Sequence, residues 1–316
     1  MKKVVVTQKL PYPVEEKFDG YKLFYNSMDE QLSREVLLKQ VADADAIISM
    51  LSDKIDREII DHAKFLKIIA NYAVGYNNID VNYAKSKGVV VCNTPHILTE
   101  TTAELAFGLM ITVARRIVEA EKFTRAGRFK GWTPNLFLGT DLYKKRVGIY
   151  GFGRIGQAFA RCCRGFEMEI FYTGRSRKYD AELLLDAKYI SFDELIETSD
   201  FVVVTAPLNE STKHAFTLDT FKKMKRDAIF INVGRGAIVK EDDLVYALKN
   251  GIIRGAGLDV YEFEPEINSG FFELDNVVLL PHIGSATEET RYRMAELCIN
   301  SVKNYLEKEI IPFNIV

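Results

Sequence analysis

The sequence predicts an α/β protein made of two doubly wound parallel-sheet domains. Three observations carry that prediction. The 316 residues are about twice what one domain usually takes. Short β-branched runs alternate with amphipathic helical stretches, the pattern of a mainly parallel sheet. A long helical stretch then interrupts the alternation, which restarts from Arg146. Apolar residues make up 47% and charged residues 27%, enough for a sizeable core and too apolar for disorder.

In the first domain, Val4–Thr7, Ala46–Met50, Leu66–Ala70 and Val89–Cys92 read as buried strands, separated by helices such as Leu32–Val41 and Ile55–His62. The pattern changes at Asn93-Thr-Pro95. Thr101-Thr-Ala-Glu104 has capping-box spacing and predicts one continuous helix to Arg125, long enough to cross between domains or subunits. Phe129–Gly139 is a long aromatic, proline-bearing loop. Strands return at Val147–Tyr150, Ile170–Thr173, Phe201–Thr205, Ala228–Val233, Ala256–Val260 and Val277–Leu280. Capping boxes at Ser191-x-x-Glu194 and Ser285-x-x-Glu288 mark helix starts. The last helix is too short to stand alone and is expected to return to the first domain. The expected boundaries are 1–98 with 284–316 for one domain and 99–283 for the other.

Composition narrows the partners. Forty-two Lys and Arg against 44 Asp and Glu leave a net charge of −2, so no basic field attracts nucleic acid or a membrane surface. The N-terminal run is too short for a secretory core and reads as a first strand, and no apolar stretch reaches membrane-spanning length. Cys92, Cys162, Cys163 and Cys298 lack Cys-x-x-Cys spacing, which predicts neither bound metal nor a disulfide framework. A cytoplasmic protein is expected.

Arg146-Val-Gly-Ile-Tyr-Gly151-Phe-Gly153-Arg-Ile-Gly156 runs from strand through glycine turn into helix, the full context of a dinucleotide fingerprint. Gly151 permits the tight turn, Gly153 a close backbone approach to pyrophosphate, and Gly156 close helix–strand packing. The helix N-terminus offers its N–H groups to the phosphates. NAD enzymes place an acid at the end of the second strand to hold the ribose 2′-hydroxyl. Here that strand continues Gly174-Arg175-Ser176-Arg-Lys178, with no acid from Ile170 to Tyr179. Arg175 could bind a 2′-phosphate bidentately and Ser176 donate to it, so NADPH is preferred over NADH.

Three further groups stand at predicted strand ends: Arg235, Glu264 and His282. Ligand crevices of open α/β sheets lie outside the carboxyl ends of the strands, so the three can share one pocket. An imidazole can protonate the oxygen formed when a keto carbon is reduced, a neighbouring carboxylate favours its charged form, and a guanidinium can hold a carboxylate and a carbonyl.

These residues occur within a larger set of motifs. Asn71-Tyr-Ala-Val-Gly75-Tyr-Asn-Asn-Ile-Asp80, Asn93-Thr-Pro95, Thr102-Ala-Glu104, the glycine turn, Thr205-Ala-Pro-Leu208 with Thr212, Asn232-Val-Gly-Arg-Gly236, Gly257-Leu-Asp259 to Pro265, and Pro281-His-Ile-Gly-Ser285 stand in that order. Along nearly its whole length the chain resembles the D-isomer-specific 2-hydroxyacid dehydrogenases, most nearly the glyoxylate/hydroxypyruvate reductase group. The resemblance implies a Rossmann cofactor domain and a discontinuous, flavodoxin-like substrate domain. It also implies that Arg235, Glu264 and His282 form a catalytic triad. Cofactor contacts are implied for Thr102, Gly151, Phe152, Gly153, Arg154, Ile155, Gly156, Gly174, Arg175, Ser176, Pro207, Thr212, Val233, Gly234, Asp259 and Gly284, with Asp259 facing the nicotinamide carboxamide.

For the substrate, a small 2-keto or 2-hydroxy acid, the resemblance implies main-chain binding at Val74 and Gly75, beside Arg235 and His282. The loop Ser49–Asp53, with Leu51, shapes the side-chain pocket. It implies a homodimer, formed through an arm at about 101–145 that carries Trp132 to the partner's site. Two departures stand out: the missing acid before Arg175, and Asn77 where the family often has Asp. A rival reading is a non-catalytic, dinucleotide-sensing corepressor-like protein on the same scaffold.

Overall fold

The structure, a computed structural model, describes residues 1–316. The chain divides into two compact units, Met1–Leu98 with Ser285–Val316, and Thr99–Gly284.

The first unit holds strands β1 (Lys3–Val6), β2 (Lys22–Tyr25), β3 (Ala46–Ser49), β4 (Ile68–Asn71) and β5 (Val90–Cys92), all parallel in the order β2-β1-β3-β4-β5. That is the flavodoxin-like order. β1, β3 and β4 are buried at every residue. Their unbroken apolar runs are what strands covered on both faces require. The edge strand β2 lacks such a run and is partly exposed, so apolar periodicity does not reveal it. Helix Glu288–Lys308 packs on β3 and β4, and the tail closes on β5 where Val316 N–H donates to Val91 O at 3.0 Å.

The second unit holds β6 (Arg146–Tyr150), β7 (Glu169–Thr173), β8 (Ala187–Tyr189), β9 (Phe201–Val204), β10 (Ile229–Asn232), β11 (Gly255–Leu258) and β12 (Val277–Leu279). All are parallel, in the order β12-β11-β10-β9-β6-β7-β8. Read from β8, this is the doubly wound Rossmann order with one strand added, and its order reverses beside β6. Tyr150, Thr173, Val204, Asn232, Leu258 and Leu279 are aligned by register, so the chain leaves all six strands along one edge of the sheet. The edge strand β8, mostly exposed, again escapes the periodicity.

Three helix expectations need correction. The predicted continuous helix to Arg125 is two, Thr99–Ala114 and Ile117–Arg125, with Arg116 left-handed at φ 54° between them. The break has a cause in the returning chain. Thr140 N–H donates to Ala114 O at 2.8 Å, taking the carbonyl a continuing helix would use, and a Cβ at Gly139 would lie 2.4 Å from that oxygen. Thr101 does not cap the first helix, because the turn after Pro95 enters it at Thr99. The last helix is capped by Thr287, whose hydroxyl accepts from Thr290 N–H at 3.3 Å, and not by Ser285. Ser191 does cap Phe192–Thr198, accepting from Glu194 N–H at 3.2 Å. No helix is long and apolar enough to cross a membrane.

Candidate active site

Gly151 leaves β6 at φ +100°, where a Cβ would stand 2.5 Å from the Ala206 backbone. Both its conformation and its surroundings require glycine. A Cβ at Gly156 would lie 2.4 Å from Gly151 O and 2.9 Å from Thr205 Oγ1, which itself donates to Gly151 O at 2.5 Å. A Cβ at Gly153 would meet nothing within 4 Å, so open space lies where the helix Arg154–Arg164 begins. Arg154 is exposed, Ile155 half-buried, and Phe152 buried with its ring stacked on Tyr172 at 4.0 Å.

Beyond β7 the three basic residues separate. Arg177 is taken by Glu182, with bonds of 2.8–3.1 Å, and lies over the Tyr179 ring. Lys178 contributes its main-chain N–H to Tyr172 Oη. Arg175 and Ser176 are exposed and have no side-chain partner in the protein. This turn therefore fits a 2′-phosphate: the one uncommitted guanidinium follows Gly174, and the nearby acid is already engaged.

Thr102 is buried, and a Cβ at Gly284 would come 3.4 Å from its Cγ2. The Thr212 hydroxyl donates to Pro207 O at 2.8 Å and accepts from Asn209 N–H, closing the loop after β9. Val233 is buried, and Gly234 N–H donates to the Asn232 side chain at 3.0 Å. Asn232 Nδ2 donates to Arg235 O at 3.1 Å. Asn232 thus shapes the turn that delivers Arg235, a role hidden in the sequence motif.

Arg235, Glu264 and His282 leave the aligned ends of β10, β11 and β12. A Cβ at Gly236 would fall 1.8 Å from the Tyr261 carbonyl carbon, so only glycine lets the Arg235 turn sit against the loop that carries Glu264. Glu264 Oε1 accepts from Tyr261 N–H at 2.9 Å, and Oε2 meets His282 Nδ1 at 2.8 Å. Burial pushes the Glu264 carboxyl up, but His282, the Tyr261 N–H and Arg235 outweigh it and leave it below its ordinary value. Burial lowers the Arg235 guanidinium against the opposing pull of Glu264. Arg235 Nη1 donates to Gly234 O at 2.8 Å.

His282 is itself left-handed, φ 55°, and Asp259 holds the chain beyond it. The buried Asp259 carboxylate accepts from Ile283 N–H at 2.7 Å and Gly284 N–H at 2.8 Å. Burial raises its pKa against those two bonds and His282. The sequence points Asp259 only to the cofactor and does not reveal this clamp on the histidine loop.

Nor does the sequence reveal a second pair. His214 Nε2 lies 2.5 Å from Glu262 Oε1; Glu262 Oε2 accepts from Glu241 N–H at 3.1 Å, and Glu262 N–H donates to Glu241 Oε1 at 2.7 Å. In the other unit, Leu51, Val74 and Gly75 are half-buried, and no protein acceptor takes the Val74 and Gly75 N–H groups. Trp132 is 82% exposed.

Residues 107–284 match the family described as D-isomer specific 2-hydroxyacid dehydrogenase, NAD binding domain. A glyoxylate reductase of Thermococcus onnurineus is 46% identical over 321 residues, covering 98% of this chain and 94% of that protein. The chain belongs to the D-isomer specific 2-hydroxyacid dehydrogenase family. It is therefore an oxidoreductase with an NAD(P)-binding domain, and its similarity is to the family's glyoxylate/hydroxypyruvate reductases. Among solved structures, the NADPH-dependent glyoxylate/hydroxypyruvate reductase of Sinorhizobium meliloti, in complex with NADP and malonate, superposes with a TM-score of 0.87 at 32% identity, covering 100% of this chain and 96% of that one. A glyoxylate reductase from Paecilomyes thermophila gives 0.88 at 33% identity, covering 100% and 98%.

Proposed function

We propose that the protein reduces a small 2-keto acid to the D-2-hydroxy acid with NADPH preferred over NADH, glyoxylate and hydroxypyruvate leading and 2-ketogluconate next. The observation that carries this is the His282–Glu264 hydrogen bond of 2.8 Å beside the Arg235 turn. The reductase names of the relatives favour this reading over a non-catalytic, corepressor-like one.

The residues present fit a dinucleotide: the tight turn at Gly151, open space at Gly153, and an uncommitted Arg175 with no acid before it. Gly151–Gly156, including Phe152, Arg154 and Ile155, would hold the pyrophosphate, and Gly174, Arg175 and Ser176 the ribose phosphate. Thr102, Pro207, Thr212, Val233, Gly234, Asp259 and Gly284 would line the remainder. When bound, the reduced coenzyme supplies the hydride.

Glu264 occupies Nδ1 of His282, which leaves Nε2 as the nitrogen that gives its proton to the carbonyl oxygen of the substrate. Arg235, its charge little screened by water, holds that oxygen and the substrate carboxylate and stabilises the charge that develops on reduction. The Val74 and Gly75 N–H groups take the carboxylate, and Leu51 meets the substrate side chain. The exposed arm around Trp132 pairs two copies into a homodimer and offers Trp132 to the partner's site.

The test is turnover at neutral pH with a panel of 2-keto acids and each coenzyme. Glyoxylate or hydroxypyruvate should oxidise NADPH faster than NADH, and Arg175→Ala should weaken NADPH far more than NADH. No oxidation with any keto acid would overturn the reductase reading, and an unchanged preference in the variant would remove the phosphate role of Arg175.

A further inference from the structure

The loops after β3 and β4 are joined by side chains that the reaction scheme above does not use. Asn71, fully buried at the end of β4, and Asn78 form a reciprocal amide pair: Asn71 Nδ2 donates to Asn78 Oδ1 and Asn78 Nδ2 to Asn71 Oδ1, both at 3.2 Å. Asn78 Nδ2 also reaches Met50 O at 3.0 Å and Asp53 O at 3.1 Å, the two ends of the turn that carries Leu51. That turn is closed from within by Asp53, whose buried carboxylate accepts from Met50 N–H at 2.7 Å and from the Thr7 hydroxyl. The Asn78 main chain adds a bond from Ile55 N–H at 2.9 Å.

Beyond β4, three successive carbonyls are claimed. Ala73 O accepts from Thr94 N–H at 2.9 Å, Val74 O from Asn93 Nδ2 at 2.7 Å, and Gly75 O from Asn71 Nδ2 at 2.8 Å. In a trans peptide the C=O and the N–H point in opposite directions. Fixing those carbonyls therefore turns the N–H groups of Val74, Gly75 and Tyr76 the other way, and none of them has an acceptor in the protein. Ser49 Oγ donates to Asn71 Oδ1 at 3.0 Å and completes the setting of that amide.

We propose that Asn78 is a positioning residue for the keto acid, locking the turn 50–53 to the segment 73–78 through its amide pair with Asn71. The Val74 and Gly75 N–H groups and the Leu51 side chain then stand in one fixed register. The inference rests on the substrate reading above and deepens it: recognition of the carboxylate and of the side chain is coupled through one amide. A bond network with both partners held costs little to form on binding, whereas a loosened loop must be ordered each time.

The experiment compares wild type, Asn78→Ala and Asn78→Ser, each with full turnover kinetics, inhibition by oxamate as a non-reacting carboxylate probe, NADPH titration and hydrogen exchange. Asn78→Ala should raise the KM for glyoxylate and the oxamate inhibition constant together by about tenfold or more, with kcat changed less than about threefold and NADPH affinity unchanged. Asn78→Ser, which keeps one donor, should fall between. Exchange should rise in segments 49–54 and 73–78 and stay as in wild type within β1, β3 and β4. A folded Asn78→Ala with wild-type KM and oxamate inhibition overturns the proposal. Faster exchange throughout the unit in both variants also overturns it, since Asn78 would then be a general stability residue. Wild type that neither turns over a keto acid nor binds oxamate fails the substrate reading itself, and the proposal with it.

Discussion

The segment Asp259–Glu266 carries two glutamate–histidine pairs that differ in almost everything except composition. Glu262 meets His214 at 2.5 Å with the carboxylate side chain 10% exposed; Glu264 meets His282 at 2.8 Å with its side chain 36% exposed. Both histidines are left-handed, at φ 51° and 55°. The Glu262 carboxylate is also tied to main chain at the start of helix Glu241–Lys249, where a negative charge suits the helix dipole. Glu264 has only a local Tyr261 N–H besides its histidine, with Arg235 adding its charge. One pair fastens the loop to its neighbours; the other is held in shape by that fastening and left accessible. Identical side chains are tied down or left accessible according to what else holds the carboxylate.

The sharpest way to break this comparison is to remove each imidazole in turn. His282→Ala should lower kcat by about a hundred- to ten-thousandfold, the usual contribution of a positioned acid, with NADPH affinity unchanged in a fluorescence titration. His214→Ala should lower kcat by less than about tenfold while lowering thermal stability, because it leaves a mostly buried carboxylate oxygen unpaired at a cost of about 1–3 kcal/mol. Equal losses of kcat in the two variants would erase the distinction.

A smaller effect sharpens the comparison at Glu264. Its folded pKa lies below its ordinary value, so the stabilisation from its ionised form is present above the ordinary glutamate value, about 4.3, and is lost as pH falls through the lower folded value. Wild-type kcat/KM should therefore hold its Glu264-dependent part below that pH. Glu264→Gln should lower kcat/KM about ten- to a hundredfold and flatten the acid limb. An acid limb unchanged by the substitution would mean another group sets it.

Much of this arrangement is legible in the sequence because strand ends are legible. A buried strand announces itself by an unbroken apolar run, and the residue types just beyond it, glycine turn, arginine, acid or histidine, mark the edge where ligands bind. What the sequence hides are partnerships set by approach between distant segments. Glu262 and Glu264 look alike two residues apart, and nothing in Thr212-Lys-His214 tells which of them it meets. The break at Arg116 depends on Thr140 arriving at Ala114 O, and the edge strands β2 and β8 lack the run that betrays the others. Gly139 and Gly236 were the available clues: each marks a place where backbone passes too close for a Cβ.

The smallest effect is expected at Glu241, the group behind the Glu262–His214 pair. Glu241 is buried, and burial, followed by the opposing Glu262 N–H bond and the charges of Glu262 and Asp242, leaves its pKa raised. For a carboxyl whose folded pKa exceeds its unfolded one, the folded state binds the proton more readily. Its contribution to stability is therefore largest at acid pH and declines as pH rises from the ordinary glutamate value through the raised one. Glu241→Gln keeps an acceptor for the Glu262 N–H and removes the titration. Urea denaturation midpoints across that window should decline less steeply with pH in the variant than in wild type. The same substitution at Glu264 should leave the slope in that window unchanged, since its lowered pKa puts its titration below the ordinary glutamate value. If Glu241→Gln leaves the pH slope untouched, the carboxyl is not the charge that burial opposes.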